Sequence, residues 1–411
     1  MDERRLRRQL RDAPLPDETG ASERGWRVIR AAFLERERAP RAARRPAKLL
    51  LAAAGAAAVL AIVLSPAGAK VADVFRDVTG IGKENARPAL SSLPAPGRVL
   101  VGSREGIWVV SEDGSNRLLG RYRGATWSPH GLFVATTSRR ALAAVEPATG
   151  TVRWTLTRPR VSDPAWAPSG FRIAYRSDGD LRLVAGDGSP DTVLARGTAP
   201  VTPAWRPLSK AGRLMVEKLA TPPEQVAFVD PAGGIHVLDL PSAGRVTQAW
   251  TAGTAAQPHE LLWSGNRKRL VAVERRGVQI YGAGGRLERT LRLGSGVRAG
   301  AAALGPAGNT LAVATGSSTR SSTAHGEIQL LDLRGKARPR RIFSGPGRFS
   351  GLAFSPNGRW LLVAWRDADQ WLFIPLGGGK VKAVGHISQQ FAPGASGATA
   401  FPSLKGWCCA R

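Results

Sequence analysis

Few side chains in this sequence are of the kinds that do covalent or metal chemistry. The five histidines, His130, His236, His259, His325 and His386, are scattered, with neither H-x-x-x-H nor Cys–His spacing. A zinc site needs closely spaced donors of this type, so no metal is expected. The densest carboxylates are Asp178, Asp180, Asp187 and Asp191, set in S-D-G-D and G-D-G. These are hairpin-turn sequences, so plain turns are expected there, with calcium as the alternative. No G-x-S-x-G, H-E-x-x-H or Walker A motif is present. The glycine-rich runs at 282–285 and 377–380 fall in turn positions and lack the helix a phosphate loop requires. Cys408 and Cys409 are adjacent, and neighbours along a strand point to opposite faces. No ordinary bridge between them is expected. They read as small buried hydrophobes of a closing strand, with a vicinal pair as the alternative. No catalytic residue, cofactor or metal ligand is assigned, no binding residue is singled out, and the chain is expected not to be an enzyme.

The basic excess has two readings, a coding bias and attraction to a polyanion such as a cell-wall polymer, an anionic lipid headgroup or nucleic acid. The 411 residues carry 59 Lys+Arg against 31 Asp+Glu, a formal net charge of +28, and only ten of the basic residues are Lys. The excess lies mainly in residues 97–411 and is not a tail. A GC-rich coding bias would also enrich Arg. As a functional property the excess suits a polyanion, and Arg matches phosphate geometry better than Lys. Composition fits a folded chain: 43% of residues are hydrophobic and 22% charged, and two cysteines exclude a disulfide scaffold.

Residues 49–69 contain no charged side chain and read LLLAAAGAAAVLAIVLSPAGA. About 20 apolar residues span a hydrocarbon core of roughly 30 Å. Arg41, Arg44, Arg45 and Lys48 crowd the N-terminal flank, which places the N-terminus in the cytoplasm. The run reads as a single-pass signal anchor. A signal peptide cleaved after Ala69 and a buried core helix are the alternatives. Residues 1–48 form a basic cytoplasmic segment. Within it, 22–38 is expected to be an amphipathic helix, with Ser22 as cap and Trp26, Ile29 and Phe33 on one face. That helix suits the inner leaflet or a protein partner. Residues 70–96, with Pro88, Pro94 and Pro96, read as an extracytoplasmic linker.

The rest, 97–411, is built on a repeat. One block recurs: a small residue, an aromatic, a small residue or Ser, Pro, any residue, Gly, then a hydrophobic run. It reads ATWSPHGLFVATT from Ala125, PAWAPSGFRIAYRS from Pro164 and LAFSPNGRWLLVAW from Leu352. Weaker copies are PAWRPLSKAGRLMVE from Pro203, LLWSGNRKRLVAVE from Leu261 and AALGPAGNTLAVAT from Ala302. Strand-like pairs follow each copy, giving four short strands in about 40–45 residues, the signature of a propeller blade. Residues 98–120 look like a blade lacking its first strand, which the C-terminal GATAFPSLKGWCC could supply. The expectation is an all-β, seven-bladed propeller, or six blades without that closure. Extra residues swell two repeats, near 218–250 and 315–345. Trp127, Trp166, Trp205, Trp263 and Phe354 recur at one position of the repeat and are expected to pack between blades.

The blocks at 125–137, 164–177 and 352–365 resemble the TolB-like, WD-repeat-like propellers. There are departures: the Asp of the P-D-G turn is replaced by His130, Ser169 and Asn357, and no Trp-Asp dipeptide occurs. The resemblance implies protein binding in the cell envelope. The leading expectation is a membrane-anchored extracytoplasmic scaffold that holds an envelope protein or an anionic cell-wall polymer, with nucleic acid not expected. A transmembrane sensor coupled to a partner of the 22–38 helix is one alternative. An extracytoplasmic enzyme is the other, although arginine-cluster glycosidase chemistry would have only Tyr122, Tyr175 and Tyr281 to draw on.

Overall fold

The recurring block folds because its serine and its glycine each meet a local demand. The hydroxyl of Ser128 accepts the Phe133 N–H at 3.0 Å, Ser264 that of Arg269 at 2.9 Å, and Ser355 that of Trp360 at 3.0 Å. Each bond closes the turn between the first two strands of a blade. The glycine at the end of the turn is left-handed, with φ +67° at Gly131 and +68° at Gly358, a conformation that costs other residues a steric penalty. The hydrophobic run that follows then leaves the turn as the second strand.

The computed structural model describes residues 90–317, 325–335, 338–393 and 399–409. Twenty-eight strands form seven four-stranded antiparallel sheets, the seven blades expected. Each blade runs outward from a first strand at the axis. Six of these inner strands are β4 (Gly124–Trp127), β8 (Val161–Trp166), β12 (Ala204–Trp205), β16 (Pro258–Trp263), β20 (Val297–Leu304) and β24 (Phe349–Phe354). The seventh is β28 (Ser403–Cys408). It pairs with β1 (Arg98–Gly102) in the register Val99↔Trp407, ahead of β2 (Ile107–Val110) and β3 (Asn116–Gly120). The inner strands touch in sequence around the ring, and β28 touches both β24 and β4. The C-terminal segment therefore completes the first blade and removes an open sheet edge.

The core lies between blades. One cluster joins Val99, Val101, Leu362, Trp371, Phe373 and Trp407; another joins Ala312, Ile328, Leu361, Val363 and Trp365. Trp166, Trp263 and Phe354 are buried at such junctions. Trp365 is fully buried against Phe343 and Phe349, and its indole N–H donates to the Pro346 carbonyl at 2.8 Å. Trp365→Ala is expected to cost about 3–5 kcal/mol, the range for truncating a buried aromatic. Denaturant unfolding measures this, and a loss under about 1 kcal/mol would contradict the packing.

Two local expectations are corrected. The GRLMVE run of the fourth blade was expected to be a strand, but Lys210–Glu217 is a helix, α1. Ser209 caps it by accepting the Gly212 N–H at 2.9 Å, and the strand's place is taken by Glu224–Val229. Cys408 and Cys409 are joined as a vicinal disulfide, with their Cα atoms 3.7 Å apart. The two side chains do not point to opposite faces of a strand because the strand ends at Cys408 and Cys409 is left-handed, at φ +62°. The pair lies on the turn of the second blade, with the Cys409 sulfur 3.6 Å from the Pro129 carbonyl.

The expected cytoplasmic helix at 22–38, the membrane run at 49–69 and the linker up to residue 89 lie outside the described residues. Among the described residues no helix is long and apolar enough to cross a membrane. Residues 90–97 carry no helix and reach the first blade, where Leu93 and Ala95 are buried with Trp407.

Candidate functional site

The meander sorts turns onto two faces. Connections between blades, and turns joining second to third strands, share one face, here the upper. Turns joining first to second and third to fourth strands share the lower face. This topology brings arginines that are far apart in sequence onto the upper face. Arg104 lies between β1 and β2, Arg121 and Arg123 between the first two blades, and Arg139 and Arg140 in the 138–140 turn. Arg275, Arg276 and Arg298 stand across the ring, and Arg366 lies on the seventh blade, next to the first. All nine side chains are exposed, and among the described residues none has a carboxylate within ion-pair distance.

Most acids of the same face are already engaged. Asp163 pairs with Arg176 at 3.2 Å, Asp178 with Arg160, and Asp367 with Arg348 at 3.2 Å. Asp230 holds His236 at 2.8 Å, and Asp369 accepts both the N–H and the O–H of Ser388 at 2.8 Å. Among the described residues Glu105 is an acid in these turns without such a partner. The face is thus a set of free guanidinium groups around consumed carboxylates, suited to bidentate contacts with phosphate or carboxylate. The lower face is basic too, but mixes Lys with Arg and leaves Glu112, Asp187 and Glu217 exposed among them.

The inner strands line an axial mouth with titratable side chains. Asp163, Lys405, His259, Glu260 and Arg298 lie in or beside their upper ends. Lys405 is reached by water yet crowded by the neighbouring blades, and this crowding lowers its pKa against the opposing pull of Asp163. Burial likewise lowers His259; the Gly300 backbone opposes this and Arg275 adds to it. Glu260 reaches across to the next blade, where its carboxylate accepts the Ala302 N–H at 3.0 Å. Burial pushes its pKa from 4.5 to about 7, only partly offset by that bond.

Glu260 therefore links pH to stability. Between 4.5 and about 7 the folded chain holds a proton that the unfolded chain has lost, so stability falls as pH rises through that window. Glu260→Gln keeps an acceptor for Ala302 but cannot ionise. It is expected to stabilise the chain at pH 8 by on the order of 2–3 kcal/mol, with little effect near pH 4.5. Urea unfolding at both pH values measures this, and an equal effect at both would contradict it.

The residues singled out from the sequence are not gathered into one site. His236 stacks on Phe228, His259 lies at the mouth, and His130, His325 and His386 are elsewhere. Among the described residues no three His, Cys, Asp or Glu side chains group as metal ligands. Asp178 and Asp180 hold arginines near the upper turns, while Asp187 serves the Ser189 turn. Asp191 is different. Burial works against its charge, but Arg182, Tyr175 and Arg158 outweigh it and lower its pKa. This network ties the second and third blades. The runs at 282–285 and 377–380 are hairpin turns, as expected. The arginine face and Glu260 were not anticipated, although the R-Y-R and R-R pairs between strand-like runs were a visible signal.

No protein-family model matches the sequence, and no curated protein does. Solved structures do match. A protein provisionally assigned as a 6-phosphogluconolactonase, from Bacteroides uniformis, is 17% identical with a TM-score of 0.52; the match covers 75% of this chain and 98% of that one. Its counterpart from Bacteroides fragilis is 16% identical with a TM-score of 0.51, covering 76% and 98%. The Swd1 β-propeller domain of Myceliophteria thermophila is 12% identical with a TM-score of 0.49, covering 64% and 86%. Identities this low speak for the fold alone. They do correct one expectation. Propellers similar in fold to this one are assigned as lactonases, so the absence of hydrolase motifs does not make the chain a non-enzyme.

Proposed function

We propose that the chain is a binding module of the cell envelope. Residues 49–69 anchor it in the membrane, its N-terminus is cytoplasmic, and its propeller stands outside. The upper face holds an anionic cell-wall polymer. The carrying observation is the set of nine exposed arginines without acidic partners on one face, among acids already paired. The uncharged run at 49–69 with its basic N-terminal flank supports the address. The WD-repeat-like propeller supports a scaffold that presents turns from several blades to one extended partner.

The test is binding of the full chain to poly(glycerol phosphate) across salt concentrations. Exposed charges are screened beyond about 8 Å at physiological ionic strength. Affinity should fall at least about tenfold between roughly 50 and 500 mM salt, and a neutral glycan of equal length should not bind. Salt-independent binding, or equal affinity for the neutral glycan, would refute the reading.

A further inference from the structure

The upper face is charged and bare of large apolar side chains, whereas the lower face exposes both kinds. Among the described residues the exposed large hydrophobics are Leu118, Leu132, Val152, Val193, Leu214, Leu219 and Leu287. Leu132 lies in a first-to-second-strand turn, and Val152 and Leu287 open the fourth strands of their blades, all at the lower face. Leu118 and Val193 lie within outer strands. None sits in an upper turn.

The most prominent lower feature is α1, inserted in the fourth blade. Its inward side carries Leu208, Gly212 and the half-buried Val216. Its outward line is Lys210, Leu214 and Lys218, at i, i+4 and i+8. Leu214 is 48% exposed and Leu219, just past the helix, 43%. Arg213 flanks the line, with Glu217 beside it. Leucines among long basic side chains suit an interface where the leucines enter the acyl boundary and the cations stay with the headgroups.

The side on which the described chain begins bears on which face meets a bilayer. Residues 90–97 enter the propeller from below. The Leu93 N–H donates to the Glu112 carbonyl at 2.8 Å, in the lower 111–115 turn, and Gly97 abuts Pro356 of another lower turn. The described chain thus begins on the lower side, and in sequence only residues 70–89 separate residue 90 from the uncharged run at 49–69.

We propose that the lower face, led by α1 with Leu214 and Leu219, docks on the surface of an anionic bilayer, leaving the arginine face turned away from it. The inference rests on the membrane-anchor reading. Docking would set the propeller's orientation and leave the polymer-binding turns pointing outward.

The experiment uses the full chain reconstituted in vesicles, with a benzophenone-bearing residue placed at Leu214 or, in a second variant, at Arg140 of the upper face. Both positions are exposed, and thermal melts check that both variants fold. After irradiation, lipid adducts are quantified by mass spectrometry in vesicles of phosphatidylcholine alone and with phosphatidylglycerol added. The expected result is a lipid adduct at 214 at least about fivefold above that at 140, and stronger with the anionic lipid. Equal yields at the two positions, no adduct at 214, or no dependence on anionic lipid would overturn the proposal. Retention of the chain through an alkaline carbonate wash is scored separately. Extraction by the wash would refute the anchor while the adduct yields still decide the docking.

Discussion

Replacing Arg121, Arg123, Arg139 and Arg140 together by glutamate is expected to reduce binding of an anionic polymer by at least about a thousandfold at low salt. The four side chains are exposed and hold no carboxylate in the folded chain. Their loss therefore removes no ion pair, and the melting temperature should shift by no more than about 2–3 °C. Each arginine near an anionic surface contributes about 1 kcal/mol, and reversal replaces that attraction with repulsion. Titration of the variant against poly(glycerol phosphate) measures the effect. The control is Lys210→Glu with Lys218→Glu on the lower face, for which a loss under about threefold is expected. If the two variants lose affinity alike, the charge acts as an undirected field and not as a face.

The second large effect concerns closure of the ring. Deleting residues 403–411 removes β28, the inner strand of the first blade. The deletion bares the edge of β1 and takes Trp407 from a cluster that includes Val99 and Phe373. It also frees the contact of the closing segment with the 128–131 turn, where Arg98 donates to the Gly131 carbonyl and lies over Trp127. Because each repeat is stabilised mainly by its neighbours, an unclosed ring has two unsatisfied ends. The expected result is a fall in melting temperature of at least about 10 °C, or aggregation through the exposed edge. A synthetic peptide covering 399–411 should recover part of the loss. Calorimetry with and without the peptide decides it, and a truncated chain that melts like the parent would refute closure by β28.

Much of the architecture is legible in the sequence because the turn chemistry repeats. Ser128, Ser264 and Ser355 stand in the same place of the block, so the blades announce themselves. The missing first strand of the first blade and the strand-like C-terminus are complementary halves of one pattern. The block misleads at PAWRPLSKAGRLMVE, where Ser209 caps a helix and the second strand comes later. Local spacing favoured both states there, and the inter-blade core chose the later segment. The vicinal pair was hidden for another reason. Strand geometry was extended one residue too far, into a position that is left-handed.

The candidate site was harder to read. Arg104, Arg140, Arg276 and Arg366 belong to different blades and share a face only because the meander alternates its turns. A count of charges shows the excess but not which arginines keep carboxylates. Glu260 looks ordinary in the sequence, and its raised pKa comes from burial against Ala302 of the next blade. Pairing and burial are properties of the assembled ring.

The most direct test of the account is hydroxyl-radical footprinting of the full chain with and without poly(glycerol phosphate) at low salt. Protection is expected at the turns carrying Arg121 and Arg123, Arg139 and Arg140, and Arg275 and Arg276, with α1 and the 128–133 turn unchanged. Protection confined to α1 and the lower turns, or a chain that binds the polymer with no protection in the upper turns, would contradict it.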